Sequence, residues 1–110
     1  MEHIKMFRGD TLAFGVVIEG NSQELDTAFF SVKRDKDDTG YFFQKSLGDG
    51  IALVSTDDNS ITYRVRVAPE NTENMEPGNY YYDFEIGLND DIFTVLSGIL
   101  TIEHDVTRRE

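Results

Sequence analysis

The chain of 110 residues contains no cysteine and only two histidines, His3 and His104. Without cysteine there is no disulfide framework, no thiolate metal site and no thiol nucleophile, and folding in a reducing compartment is the simpler expectation. A serine triad needs a histidine beside a nucleophile and an acid, and the sequence has no Gly-x-Ser-x-Gly motif to supply that setting. Gly48-Asp49-Gly50 lacks the third glycine and the following helix of a phosphate-binding loop. We therefore expect no catalytic residues, no cofactor and no enzyme activity.

Basic residues are scarce too, with 10 Lys and Arg against 21 Asp and Glu and a formal net charge of -11. This charge repels phosphate backbones and anionic membranes, which argues against nucleic acid as a partner. The same charge is also what keeps many small domains soluble. No apolar run approaches the length of a membrane span, and the N-terminus lacks the apolar region of a signal peptide. We expect neither membrane insertion nor secretion through a visible signal peptide.

What the sequence does contain is alternation of apolar and polar residues with period two, which is typical of half-buried strands. In residues 80–86 the even positions are apolar, whereas Tyr81, Asp83 and Glu85 share the opposite face. Clusters of Gly, Asn, Asp and Ser separate this segment from others like it. The pattern predicts strands over residues 3–8, 11–19, 27–34, 41–46, 51–56, 60–67, 79–88 and 92–103, and one helical turn over 69–72.

Short strands at this spacing, with no long helical segment, favour an all-β fold. We predict one domain over residues 1–110, an immunoglobulin-like antiparallel β-sandwich of about seven to eight strands. The last strand carries apolar residues on both faces until Ser97 and Gly98, and a bulge at Gly98 would explain the change.

An acidic loop is the one candidate for a metal site. Asp35, Asp37 and Asp38 precede Gly40, and calcium takes several carboxylate oxygens from one tight loop. The loop lacks the glutamate at its twelfth position and the flanking helices of an EF-hand. A solvated hairpin turn is therefore the favoured interpretation, with calcium at the three aspartates as the alternative.

Two aromatic residues, Phe29 and Tyr81, fall on the outer face of their predicted strands. Most other aromatic side chains are needed for the core, so these two are the candidates for contact with another molecule. Their rings would suit a protein partner or the apolar face of a sugar.

The segment Pro77-Gly78-Asn79-Tyr80 resembles the tyrosine corner of immunoglobulin-like sandwiches, in which a tyrosine that starts the penultimate strand bonds back to upstream backbone. Gly78 and Tyr80 would then have structural roles. A wider set of motifs surrounds this corner: Phe7-Arg8-Gly9-Asp10-Thr11, Val67-Ala68-Pro69-Glu70-Asn71-Thr72, Ser97-Gly98-x-Leu100-x-Ile102 and Asp105-Val106-Thr107-Arg108.

Together these motifs resemble small phage and prophage structural proteins of Gram-positive bacteria, similar to the N-terminal domain of upper baseplate proteins in lactococcal-type phages. The resemblance implies a non-enzymatic virion module of the tail, baseplate or head decoration. Its partners would be other virion proteins or further copies of itself, and it would be located in the virion or, during assembly, in the bacterial cytoplasm. The alternative is a carbohydrate or cell-surface binding module that uses the outward aromatic residues, with or without calcium. A small hydrolase is the least favoured hypothesis, because no residues with paired catalytic roles are present.

Overall fold

The computed structural model describes residues 2–104, and the motif at residues 105–108 lies outside this range. The described chain contains eight strands and one short helix. The strands are β1 (Glu2–Phe7), β2 (Leu12–Glu19), β3 (Thr27–Lys33), β4 (Phe43–Leu47), β5 (Gly50–Asp57), β6 (Ser60–Val67), β7 (Gly78–Leu88) and β8 (Asp91–Glu103), and the helix is α1 (Pro69–Thr72). The predicted all-β class, the strand number and the helical turn are confirmed, because alternation and turn-forming residues are local signals that the fold preserves.

The strands form one mixed sheet in the order β1-β8-β7-β3-β4-β5-β6-β2, which curls into a nearly closed, barrel-like shape. Two pairs in it are parallel: β1 with β8, and β4 with β5. The pairing therefore departs from the predicted antiparallel arrangement at these two places. Periodicity shows which side chains share a face and carries no information about strand direction. The parallel contact of β4 with β5 is short, since it joins only Ser46 to Gly50 and Leu47 to Ile51.

The core lies inside the curl, and Phe30 of β3 is at its centre. The Phe30 ring is fully buried and packs edge-on against Phe14 of β2, with ring centroids 5.4 Å apart. It also packs against Tyr82 of β7 at 5.6 Å and Phe43 of β4 at 6.3 Å. Because β2 and β3 do not pair, the contact of Phe14 with Phe30 crosses the interior and holds the two sides of the curl together.

Two buried hydrogen bonds attach loops to this core. The Tyr63 hydroxyl on β6 accepts a hydrogen bond of 2.9 Å from the backbone N–H of Leu25. Thr72 at the end of α1 is fully buried, and its hydroxyl accepts a hydrogen bond of 2.9 Å from the backbone N–H of Gly9 in the turn between β1 and β2. Buried backbone donors need such partners, so both bonds determine where these loops lie.

The predicted bulge at Gly98 is not found at that position. Gly98 stands in regular register, opposite Tyr82 on β7 and Glu2 on β1. The irregularity lies nearer the start of β8. There Phe84 pairs with Leu96 and Glu85 pairs with Thr94, so Val95 is the extra residue of the bulge. A bulge does not require glycine, so the glycine was a misleading signal.

Within residues 2–104, no helix is long and apolar enough to cross a membrane.

Candidate functional site

Tyr80 lies at the start of β7, immediately after the loop that follows α1. Its side chain is fully buried, and its hydroxyl donates a hydrogen bond of 2.5 Å to the backbone carbonyl of Glu76, four residues upstream. The same oxygen accepts a hydrogen bond of 3.1 Å from the Arg34 guanidinium, which also lies 5.1 Å from the centre of the ring. Phe42 packs edge-on against the ring at 5.0 Å. Tyr80 thus ties the loop before β7 to the connection between β3 and β4.

Gly78, the first residue of β7, has a backbone φ of 146°, a conformation that side-chain-bearing residues rarely adopt. A Cβ atom added there would meet no atom within 4 Å, so backbone conformation and not crowding favours glycine. Gly98 is buried in β8 beside Tyr82.

Asp35, Asp37 and Asp38 are all exposed in the connection between β3 and β4. The Asp38 carboxylate accepts a hydrogen bond from the Asp35 backbone N–H at 3.0 Å, and the Asp38 N–H bonds to the Asp35 carbonyl at 3.1 Å. The Lys33 ammonium donates to the Asp38 carbonyl at 2.7 Å. Across residues 2–104, no group of three His, Cys, Asp or Glu side chains is arranged to hold a metal ion. The hydrogen bonds join Asp35 to Asp38 across a turn, and Asp37 lies in the same turn without a hydrogen bond to another described residue.

The outer face of the sheet carries three rows of side chains across β3, β7 and β8, because strand register aligns them. The middle row consists of Ser31, Asp83 and Ser97. On one side lies the row of Lys33, Tyr81 and Ile99, and on the other the row of Phe29, Glu85 and Thr94. The two serines of the middle row are short, so the face is lower there than at its neighbours.

This difference in height creates a groove of about 500 Å³, which we call the outer groove. Its volume lies within the range of small-molecule sites, roughly 300–1,000 Å³. Lys36, from the connection between β3 and β4, reaches over it with its ammonium 5.2 Å from the centre of the Tyr81 ring. The lining residues are Ser31, Lys33, Lys36, Tyr81, Tyr82, Asp83, Thr94, Ser97, Gly98 and Ile99.

Some polar groups of the outer groove already form hydrogen bonds within the chain, and others do not. The Ser31 hydroxyl accepts a hydrogen bond of 2.9 Å from the Gln44 side-chain amide, which leaves its own proton to donate. Asp83 is half-buried at the middle of the floor, and no hydrogen bond or ion pair joins its carboxylate to another residue in the described range. A half-buried carboxylate facing open space is a ready acceptor for a ligand.

The two aromatic candidates have different positions on this face. Tyr81 is half-buried and forms part of the outer groove. Phe29 is also half-buried but pairs with Glu85, four residues along β7 from Tyr81, which places it roughly 14 Å away. Only Tyr81 therefore joins the groove.

A second surface feature lies at the start of β8, and we call Ile92, Phe93 and Val95 the apolar edge. Their side chains are 69%, 52% and 37% exposed. They follow a two-residue turn at Asn89 and Asp90, both of which have positive φ. Such turns are typical of tight β-hairpins.

The two histidines lie apart. His3 on β1 pairs with Ile99, whereas His104 follows the end of β8, five residues further on and roughly 16 Å away. The His3 Nε2 atom is 2.6 Å from the Thr101 hydroxyl, which donates to the Asn79 side chain at 2.7 Å. His3 is thus part of a surface hydrogen-bond chain with Thr101 and Asn79.

Sequence reasoning missed most of the outer groove. Alternation in residues 80–86 did place Asp83 beside Tyr81 on the outer face. The residues that β3, β8 and the loop contribute depend on strand register and loop conformation, which no local pattern encodes. The exposure of the apolar edge was missed for the same reason.

No protein-family model matches this chain, and no significant match to a curated protein is found. The resemblance of its motifs to phage baseplate modules stays a prediction.

Proposed function

We propose that this chain is a non-enzymatic structural or assembly module of a phage or prophage virion and that it acts through protein contacts. The observation that carries the contact role is the apolar edge of β8. The virion setting comes from the resemblance of the sequence motifs to baseplate modules.

The apolar edge has a feature that a protein contact would explain. Ile92 and Phe93 are consecutive, so their side chains point to opposite faces of the strand, and both are more than half exposed. On the partner strand, Ile86 and Gly87 opposite them are buried. Strands with apolar residues on both faces are normally covered on both faces. A binding partner would supply that cover.

The backbone at this position is also available to a partner. Strand β7 covers one edge of β8, and β1 pairs with the opposite edge only from Gly98 onward. Within residues 2–104, no strand pairs with that opposite edge between Asp91 and Ser97. The bulge at Val95 interrupts a straight ladder, which limits open-ended pairing. These features favour a defined contact that combines side chains from both faces with a short stretch of backbone.

The proposed immunoglobulin-like character has independent support. Strands β2, β6 and β5 pair in one group, and β1, β8, β7, β3 and β4 pair in another. Among the described residues, the short β4–β5 pairing is the only strand pairing between the two groups. The bond from Tyr80 to the Glu76 carbonyl, four residues upstream, is the kind of bond that a tyrosine corner would make, and it supports the proposal. A scaffold of this type suits a module that assembles with other proteins.

The virion role is tested by identifying the proteins present in purified phage particles. Particles are purified on a density gradient from an induced culture of the bacterium that carries the gene, and peptides of this chain are sought by mass spectrometry. We expect the chain to comigrate with intact particles. Its absence from particles whose capsid and tail proteins are detected would contradict the proposal.

The role of the apolar edge is tested by incorporation of a tagged chain supplied in the same culture. The double variant Ile92→Thr, Phe93→Thr keeps strand-forming residues and removes apolar surface. We expect its incorporation to fall about tenfold or more, which corresponds to the loss of one central contact in an interface. Val17→Thr, at a residue 58% exposed on β2, is the matched control and should be incorporated normally. Equal incorporation of all three chains would refute a contact at this edge.

A further inference from the structure

We propose that the outer groove binds a neutral saccharide, with the Asp83 carboxylate as the central hydrogen-bond acceptor and the Tyr81 ring as the apolar platform. This inference assigns a site and a ligand class to the alternative function, carbohydrate binding. It does not depend on the contact at the apolar edge.

The floor of the groove suits a ligand rich in hydroxyl groups. Asp83 offers an acceptor-only carboxylate, and the Ser31 proton is available because Gln44 already donates to that oxygen. Ser97 and Thr94 add hydroxyls that can both donate and accept. Since a sugar hydroxyl also donates and accepts, one ring can satisfy several of these groups at once.

The wall of the groove suits the other aspect of a sugar, its apolar C–H face. Tyr81 and Ile99 stand side by side in register and contribute apolar surface next to the polar floor. The Lys36 ammonium over the Tyr81 ring shows that this ring face attracts polarised hydrogen, as the C–H groups of a sugar carry. A sugar would take the place of Lys36 over the ring, and the released ammonium can donate to a sugar oxygen.

The charges of the groove argue for a neutral ligand. An anion would face Asp83 and the field of a chain with a net charge of -11. A cation would face the ammonium groups of Lys33 and Lys36. A neutral polyhydroxyl compound avoids both repulsions and pairs with carboxylate and ammonium alike.

The test is titration of the 110-residue chain with a panel of saccharides, followed by saturation-transfer NMR and calorimetry. The neutral members are glucose, galactose, rhamnose, N-acetylglucosamine and their disaccharides, and the charged members are glucuronate and glucosamine. We expect at least one neutral member to bind with a Kd on the order of 1 mM or tighter, a value common for shallow sites. Charged members should bind more weakly than their neutral counterparts.

Two pairs of variants locate the binding. Asp83→Asn keeps the shape of the side chain and should weaken binding roughly tenfold, because it removes a charged acceptor. Asp58→Asn, at an exposed turn residue, is its control and should bind as the wild type does. Tyr81→Ala should abolish stacking, whereas Tyr41→Ala, at an exposed tyrosine outside the groove, should not change the Kd.

The inference is overturned if no neutral saccharide binds, if only charged saccharides bind, or if Asp83→Asn binds with an unchanged Kd. Melting temperatures of all variants identify any that fail to fold, and Asp83→Asn is decisive by itself if Tyr81→Ala does fail. The double variant Ile92→Thr, Phe93→Thr should bind the saccharide normally, since neither residue lines the groove. Failure of this inference and failure of the proposed structural role are therefore separately visible.

Discussion

Replacing Tyr80 by phenylalanine removes one oxygen atom from the corner before β7 and leaves the buried ring in place. The Tyr80 hydroxyl donates a hydrogen bond to the Glu76 carbonyl and accepts one from the Arg34 guanidinium. A typical hydrogen bond contributes about 0.5–1.5 kcal/mol net, and a buried group left without a partner costs about 1–3 kcal/mol. Glu76 and Arg34 are exposed residues that water can reach, so the second penalty is small. We expect a loss of about 1–2 kcal/mol in the free energy of unfolding.

The assay is urea denaturation with scanning calorimetry. For a domain of this size a loss of 1–2 kcal/mol lowers the Tm by roughly 4–8 °C, while the urea m-value should not change. Tyr81→Phe is the matched control, because the hydroxyl of Tyr81 has no hydrogen bond to the described residues and the Tm should shift little. Arg34→Ala keeps the bond to Glu76 and should cost less than Tyr80→Phe. If Tyr80→Phe changes stability by less than about 0.5 kcal/mol, the corner bond does not stabilise this fold.

Other variants probe different parts of the fold. Tyr63→Phe should cost about 1–3 kcal/mol in urea denaturation, because the buried N–H of Leu25 loses its acceptor; an unchanged midpoint would show that another acceptor replaces it. Gly50→Ala should lower the Tm more than Gly20→Ala does. Both residues have positive φ, but an added Cβ atom would meet no atom within 4 Å at Gly20, whereas at Gly50 it would lie 3.1 Å from the Arg66 backbone oxygen, which cannot move aside as the Lys45 side chain can. Equal Tm values for the two glycine variants would contradict the crowding argument.

Calcium provides a further test at the acidic loop. Asp35 and Asp38 are joined by hydrogen bonds in a turn, and the described residues hold no cluster suited to a metal. Millimolar calcium should therefore leave the Tm unchanged in calorimetry, since only a ligand that prefers the folded chain raises it. A rise that Asp38→Asn abolishes would restore the calcium alternative.

The sequence by itself determined the strand segments, because alternation of apolar and polar residues and turn-forming clusters act within a few residues of each other. It also singled out Tyr80, through the Pro-Gly-x-Tyr spacing at the start of β7. It predicted the short helix at Pro69 because proline suits the first turn of a helix. Asp83 was placed on an outer face beside Tyr81 by the same alternation. These conclusions required no knowledge of which strands become neighbours.

Only the tertiary structure decided how the strands meet. Two pairings are parallel, the bulge lies at Val95 and not at Gly98, and the outer groove exists because Ser31 and Ser97 flank Asp83 in register. The exposure of Ile92 and Phe93 likewise depends on which strands cover β8. Register and neighbour order follow from packing over the whole chain, since a shift by one residue reverses every side chain of a strand. The pattern of a single segment therefore cannot specify them, and the candidate sites of this protein depend on them.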